Sequence, residues 1–127
     1  MSAEARWARA SALYIVDADE SVREGLARLT ESAGFEPKPC DSAEAFLRLP
    51  DRANGACALL DLSDSRLWSP MVRTRLCALA ATLPVIALCA HDDARIRRTA
   101  RELGARAFFR KPVDAAALLD SIRWVMR

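Results

Sequence analysis

Three charged residues stand at the ends of short apolar segments, and together they carry the groups that phosphoryl transfer needs. They are Asp17, Asp61 and Lys111. Asp61 closes the apolar run 57–60 and precedes a polar segment, which is typical of a strand buried on both faces of a parallel sheet. A carboxylate can accept a phosphoryl group, another acid can hold a divalent cation, and an ammonium can bind the developing charge. We therefore interpret Asp61 as a phosphate-accepting aspartate.

Lys111 is unusual in a chain that uses arginine almost everywhere. Of the 19 basic residues, only Lys38 and Lys111 are lysines. An ammonium is a compact point charge that suits a phosphoryl oxygen in a tight pocket, whereas a guanidinium is broad and planar. We therefore predict a phosphate-binding role for Lys111. The alternative is a solvated loop lysine.

Apolar periodicity predicts five strands that alternate with five helices. The predicted strands are 13–16, 35–40, 57–61, 85–89 and 107–110. The predicted helices begin near 21, 42, 71, 93 and 114, and Asp41 or Ser42 caps the second of them. This alternation predicts an α/β, flavodoxin-like fold: a doubly wound parallel sheet with strand order 2-1-3-4-5. Pro37 and Pro39 remove hydrogen-bond donors and favour an edge position for the second strand.

The totals describe one soluble domain and exclude several classes of protein. The chain has 127 residues, of which 52% are hydrophobic and 28% charged, and its net charge is +2. That charge is too small to indicate nucleic-acid binding, and no apolar run approaches the roughly 18 residues that span a membrane. Without a signal-peptide core near the N-terminus, we expect a cytoplasmic protein. Residues 1–12 are expected to form a tail or a short extra helix, with Trp7 packing back on the domain at 13–127.

The cysteines do not indicate a metal or redox site. The four of them show no CxxC spacing, and the chain has one histidine. A Cys/His zinc site is therefore not expected, and we predict reduced, mostly buried thiols. Absence of CxxC also disfavours a thiol redox enzyme.

The ordered set of motifs resembles the receiver domain of bacterial two-component response regulators, particularly those of the FixJ type. The resemblance covers about residues 13–126. It depends on Val16-Asp17-x-Asp19-Glu20-x-Val22-Arg23, on Ser42-Ala43-Glu44-Ala45-Phe46-Leu47, on Asp61 after an apolar strand and on Lys111-Pro112. The intervals of 44 residues between the two acids and of 50 from Asp61 to the lysine are also similar to those of the family.

The resemblance implies a role for each residue around Asp61. Asp61 is then the phosphoacceptor, Lys111 binds the phosphoryl group, and the Lys111–Pro112 peptide is cis. Asp17 and the backbone carbonyl of Ser63 are implied ligands of Mg²⁺. Phe108 stands at the aromatic switch position, and the implied partner is a sensor histidine kinase or a phosphotransfer protein.

The chain departs from the family pattern at the positions that hold the metal and report the phosphate. Ala18 replaces the second acid of the usual pair, so Mg²⁺ binding is expected to be weakened or lost unless Asp19 substitutes. Asp17 and Asp19 could instead simply cap the first helix. Cys89 stands where the family has a Thr or Ser switch hydroxyl, and a thiol is a weaker donor. The loop after Asp61 has Asp64, Ser65 and Ser69 at the positions of the usual Met-Pro and the later Gly.

Three functions therefore stay open at this point. The first is a phosphorylation-dependent switch and the second a phosphorylation-independent pseudo-receiver that binds partner proteins. The third, a small enzyme that uses Asp61 or a cysteine, is the least favoured, and we predict that the protein is not an enzyme. Arg95, Arg98 and Trp124 on the last two helices form a candidate surface for homodimerisation or partner docking.

Overall fold

Five parallel strands form the single sheet that positions the three charged residues. In the computed structural model, which describes residues 12–126, they are β1 (Ala12–Val16), β2 (Glu36–Cys40), β3 (Cys57–Asp61), β4 (Val85–Cys89) and β5 (Ala107–Arg110). Their order is β2-β1-β3-β4-β5, and every neighbouring pair is parallel. The predicted flavodoxin-like order is confirmed, and β2, with its two prolines, lies at an edge as expected.

Four helices connect the strands and a fifth follows β5, and each begins at a side chain that accepts a backbone N–H. They are α1 (Glu20–Ser32), α2 (Ala43–Leu47), α3 (Pro70–Ala80), α4 (Ala94–Leu103) and α5 (Ala115–Val125). The capping residues are Asp19, Ser42, Ser69, Asp93 and Asp114. Such caps satisfy N–H groups that have no partner inside the helix. Ser42, not Asp41, therefore caps α2, and α3 begins at Pro70, one residue before the predicted start near 71.

Alternating side chains divide the core into two layers, one on each face of the sheet. Leu13 and Ile15 of β1 pack with Leu26, Leu118 and other residues of α1 and α5. The intervening β1 side chains pack on the opposite face, against residues of α2, α3 and α4. Successive side chains of a strand point to opposite faces, so a strand covered on both sides is apolar throughout. The run 57–60 before Asp61 is continuously apolar because β3 is covered on both faces of the sheet.

The four cysteines are free, as predicted, and three of them are buried. Cys40, Cys57 and Cys89 lie inside the protein, whereas Cys77 is exposed on α3. Burial raises the pKa of the Cys57 thiol to about 12, although the backbone and Arg106 oppose the shift. Cys57 is therefore a neutral core side chain near pH 7.

Two further sequence predictions concern the N-terminal tail and membrane-spanning segments. The expected N-terminal tail, including Trp7, lies outside the described residues except for Ala12, which already belongs to β1. Among residues 12–126, no helix has the length and apolar character needed to cross a bilayer.

Candidate functional site at the carboxyl edge of the sheet

The three charged residues meet because their strands are parallel and end at one edge of the sheet. Asp17 follows β1 directly, Asp61 is the last residue of β3, and Lys111 follows β5. β1 and β3 are neighbours, whereas β4 separates β3 from β5. A lysine can cross that width because its four-carbon stem is long and flexible.

Lys111 forms ion pairs with both carboxylates. Its Nζ lies 2.7 Å from Asp17 Oδ2 and 3.3 Å from Asp61 Oδ1. The side chains of Asp17, Asp61 and Lys111 are 1%, 8% and 15% exposed. The cluster is thus largely withdrawn from solvent, where charges interact more strongly than they do at the surface. The convergence predicted from sequence is present in the structure.

The cluster shifts the pKa values of two of its members. Burial and the nearby Asp17 charge raise the Asp61 pKa, while Lys111 and a hydrogen bond from Ser63 oppose that shift. Burial lowers the Lys111 pKa, but the hydrogen bond with Asp17 and the charges of both acids outweigh burial and raise it overall. Lys111 therefore keeps its positive charge throughout the physiological range.

A network of backbone contacts holds Asp17 in place. Its N–H donates to the Cys40 carbonyl at 3.1 Å, and its Oδ1 accepts the Asp19 N–H at 2.9 Å. Arg23 Nη1 donates to the Asp17 carbonyl at 2.8 Å. Arg23 stabilises the loop between β1 and α1, a role that the sequence analysis missed. The only signal in the sequence was its place in the motif, since its target is a backbone atom.

The residues after Asp17 bear on how a cation could be held. Ala18 is exposed and offers no ligand atom. Asp19 Oδ1 accepts the Val22 N–H at 3.2 Å, so this carboxylate caps α1. Within residues 12–126, no three His, Cys, Asp or Glu side chains are grouped so as to hold a metal ion. Mg²⁺ needs only one or two protein carboxylates besides water and phosphate oxygens, so Asp17 and Asp61 fit a weakly held ion.

Ser63 contacts the candidate acceptor through its side chain. Its Oγ donates to Asp61 Oδ1 at 2.9 Å and accepts the Ala90 N–H at 3.3 Å. Only the backbone carbonyl of Ser63 was assigned a role from sequence. The hydroxyl was missed because the sequence cannot show that the loop after β3 meets the loop after β4, 27 residues away.

Cys89 and Phe108, the two predicted switch residues, have different surroundings. Cys89 is fully buried and belongs to the apolar core on the α2–α4 face of the sheet. Phe108 is half-buried, and the guanidinium of Arg97 lies 5.7 Å from its ring centre. Arg97 also donates two 2.6 Å hydrogen bonds to Asp92. The aromatic side chain is thus in contact with a salt bridge of the loop after β4.

A cavity of about 250 Å³ opens beside the acceptor. Its lining includes Asp17, Ala18, Asp61, Asp64 and Trp68. Of the loop departures noted in the sequence, Asp64 therefore borders the space next to Asp61. Ser65 begins a 3₁₀ turn and Ser69 caps α3. This space can admit a phosphoryl group and water to a carboxylate that is otherwise mostly enclosed.

The residues of the candidate interface are all at the surface. Arg95 and Arg98 are exposed on α4, and Trp124 on α5 is 68% exposed. Large exposed aromatic side chains are enriched at protein interfaces. All three side chains are therefore accessible to solvent.

Comparison with known proteins finds one family. The model of the response regulator receiver domain matches residues 13–123. The response regulator protein TodT of Pseudomonas putida is 33% identical over 119 residues, which are 94% of this chain and 52% of TodT. The transcriptional regulatory protein FixJ of Azorhizobium caulinodans is 32% identical over 111 residues, 87% of this chain and 53% of FixJ. The chain thus spans about half the length of these relatives.

Solved structures agree with the sequence matches. The FixJ-N crystal structure has a TM-score of 0.73 and 30% identity, and the match covers 91% of this chain and 93% of that one. A response regulator receiver protein from Burkholderia phymatum gives a TM-score of 0.72 at 30% identity, covering 91% and 94%. With the parallel sheet and the Asp17–Lys111–Asp61 cluster at its edge, these matches show that the chain belongs to the response regulator receiver domain family.

Proposed function

We propose that this receiver domain accepts a phosphoryl group on Asp61 from the phosphohistidine of a sensor kinase or phosphotransfer protein. The observation that carries the proposal is the position of Lys111, whose ammonium lies between a buried acid and an acceptor that borders a cavity. A structural ion pair needs no such opening. The resulting change is proposed to alter the affinity of the domain for a partner or an output domain.

The transfer step can be written from the groups present. An Asp61 carboxylate oxygen attacks phosphorus, the new O–P bond forms, and the N–P bond to the donor imidazole breaks. The electron pair of that bond stays on the imidazole nitrogen. Lys111 is placed to neutralise the negative charge that develops on the phosphoryl oxygens in the transition state. Electrostatic stabilisation of this kind is usually the largest single contribution to catalysis.

A divalent cation is part of this proposal, with a reduced set of ligands. Asp17, Asp61 and the Ser63 carbonyl would hold Mg²⁺, and Asp19 is a further candidate whose carboxylate now caps α1. When bound, Mg²⁺ supplies positive charge to the phosphoryl oxygens. Ala18 removes one carboxylate, so we expect weaker cation binding than in a receiver with an adjacent acid pair.

The second candidate is a pseudo-receiver that binds its partner without phosphorylation. Two observations favour it: the missing carboxylate at Ala18, and a buried thiol at Cys89 in place of a hydroxyl. Neither affects Asp61 or Lys111 directly. The two candidates therefore differ in whether a phosphoryl analogue forms a complex with Asp61.

The test is to add Mg²⁺ and beryllium fluoride and to observe the bound species by ¹⁹F NMR, with mass spectrometry after acetyl phosphate. We expect an adduct that Asp61→Asn abolishes. Asp64→Asn is the matched control, because Asp64 borders the same cavity but is exposed; it should keep the adduct. Ala18→Asp should bind Mg²⁺ several-fold more tightly. No adduct at tens of millimolar Mg²⁺ would favour the pseudo-receiver.

A further inference from the structure

The hydroxyl of Ser63 joins the candidate acceptor to a loop on the neighbouring strand. It donates to Asp61 Oδ1 at 2.9 Å, and it accepts the Ala90 N–H at 3.3 Å. A serine hydroxyl has one proton and two lone pairs, so it can make both contacts at once. The Ser63 N–H also lies 3.4 Å from the same carboxylate oxygen, which fixes the side chain over the acceptor. The contact with Ala90 reaches a residue just past β4.

Cys89 cannot make this connection in the observed structure. Its side chain is fully buried, and it packs in the apolar core with residues such as Ala87 and Ile96. A thiol is also a weak hydrogen-bond donor. The polar link between the acceptor and the residue that follows β4 therefore comes from the loop after β3.

The loop that Ser63 contacts continues into the surroundings of the switch aromatic. Two residues after Ala90, Asp92 accepts two hydrogen bonds of 2.6 Å from Arg97. Arg97 in turn lies over the ring of Phe108, with its central carbon 5.7 Å from the ring centre. Displacing the backbone at Ala90 would therefore change the position of the Asp92–Arg97 pair and the packing of Phe108.

We propose that Ser63 is a positioning residue that couples the charge at Asp61 to the loop after β4, through a hydroxyl absent from position 89. In the unphosphorylated protein the Ser63 hydroxyl accepts the Ala90 N–H. A phosphoryl group on Asp61 adds strongly accepting oxygens, so the hydroxyl turns towards them and releases that N–H. The release of the Ala90 N–H depends on the proposed phosphorylation of Asp61. The hydrogen bonds from Ser63 to Asp61 and from Ala90 to Ser63 are present without it.

The first test uses the unmodified protein and amide hydrogen exchange resolved by NMR. Ser63→Ala should speed exchange at Ala90 by about three- to tenfold, which corresponds to the loss of one ordinary hydrogen bond. Ser63→Thr keeps a hydroxyl and should restore slow exchange. Ser65→Ala is the matched control, because the Ser65 hydroxyl is buried without a hydrogen-bond partner and lies in the same loop. Unchanged exchange at Ala90 in Ser63→Ala overturns the proposal.

The second test asks whether the coupling passes through Ser63. Asp61→Asn removes the acceptor charge and should shift the amide resonance of Ala90 and the ring resonances of Phe108. In the Asp61→Asn, Ser63→Ala double variant, compared with Ser63→Ala, these shifts should fall to less than half. Equal shifts with and without the hydroxyl would overturn the coupling.

A beryllium fluoride titration separates this proposal from the proposed function. If the adduct forms in both wild type and Ser63→Ala, the shifts at Phe108 should be smaller in the variant, and equal shifts count against Ser63. If no adduct forms in the wild type, phosphorylation is not supported. The exchange rates and the double variant then still decide the role of Ser63.

Discussion

Two buried carboxylates share one lysine, and this sharing gives Asp61 its chemical character. Asp17 is almost completely enclosed, and Asp61 and Lys111 are only slightly more exposed. Like charges in such surroundings repel strongly, and the raised pKa of Asp61 has burial and the Asp17 charge as its causes. The ammonium offsets that repulsion. The phosphoryl group that we propose for Asp61 would bring further negative charge to the same place, where a compact cation suits it.

Replacing Lys111 should therefore destabilise the fold. In Lys111→Met the carboxylates of Asp17 and Asp61 lose their shared cation, and we expect a loss of about 1–3 kcal/mol in the free energy of unfolding. Urea denaturation at pH 7 measures it. Lys38→Met is the matched control, because Lys38 also forms a short ion pair, 2.8 Å from Glu36, but both side chains are about half exposed. An exposed pair contributes about 0–1 kcal/mol. Equal losses in the two variants would contradict this account.

The pH dependence of that stabilisation follows from the Lys111 pKa. The two carboxylates raise it above its ordinary value of 10.5. A group with a raised pKa in the folded state contributes its stability fully below the ordinary value and loses it as the pH rises through the folded value. The difference between wild type and Lys111→Met should thus persist from neutral pH up to about pH 10.5 and shrink as the pH rises further.

At the scale of elements, short capped helices keep the loops of the site in place. All five described helices begin at a side chain that accepts a backbone N–H. Asp19 shows the consequence for function. Its carboxylate could replace the acid that is missing at Ala18, but it accepts the Val22 N–H and caps α1 instead. At the opposite edge of the sheet, α4 is followed by Gly104, which has a φ of 83°. Left-handed backbone of this kind favours glycine.

Two glycines allow the same substitution to be tested in opposite backbone conformations. Gly104→Ala should cost about 1 kcal/mol or more, since a Cβ is disfavoured at positive φ. Gly25→Ala, inside α1, should stabilise the protein by about 0.4–1 kcal/mol. A Cβ at either position meets no atom within 4 Å, so packing does not confuse the comparison. Thermal and urea unfolding measure both, and changes of the same sign would contradict the backbone explanation.

At the scale of the whole molecule, α4 and α5 carry the exposed residues of the candidate interface. We define the α4–α5 surface by Arg95, Arg98 and Trp124, which are all exposed. Arg97 and Phe108 lie next to it and connect it with the loop after β4. We propose this surface for self-association or partner docking, because exposed tryptophan and arginine side chains are the types that contribute most at protein interfaces.

Substitutions on the α4–α5 surface should weaken that association. Trp124→Ala and Arg98→Glu should each raise the dissociation constant about tenfold, as for an interface residue worth about 1.4 kcal/mol. Sedimentation velocity with and without beryllium fluoride measures self-association, and binding to the kinase or an output domain is measured separately. Arg28→Glu is the control, since Arg28 is exposed on α1. If both surface variants behave like the control, this surface is not an interface.

Much of the fold could be predicted because the signals that specify it are local or periodic. Apolar runs covered on both faces marked β3 and β4, and the boundaries of β4 and β5 agree with the prediction. Asp93, Asp114 and Gly104 mark helix ends through contacts within a few residues. Parallel strands bring their carboxyl ends to one edge, so the meeting of Asp17, Asp61 and Lys111 also followed from the order of the elements.

The sequence by itself determined which charged residues end the strands and which edge of the sheet they share. Only the tertiary structure decided what the smaller side chains do there. The Ser63 hydroxyl forms hydrogen bonds with both Asp61 and Ala90. The Asp19 carboxylate caps α1, and the Cys89 thiol lies in the core. These outcomes depend on side-chain directions and on loops that meet across 27 residues. A periodic pattern predicts the positions of strands and helices, but it does not predict which hydrogen bonds form between the loops that connect them.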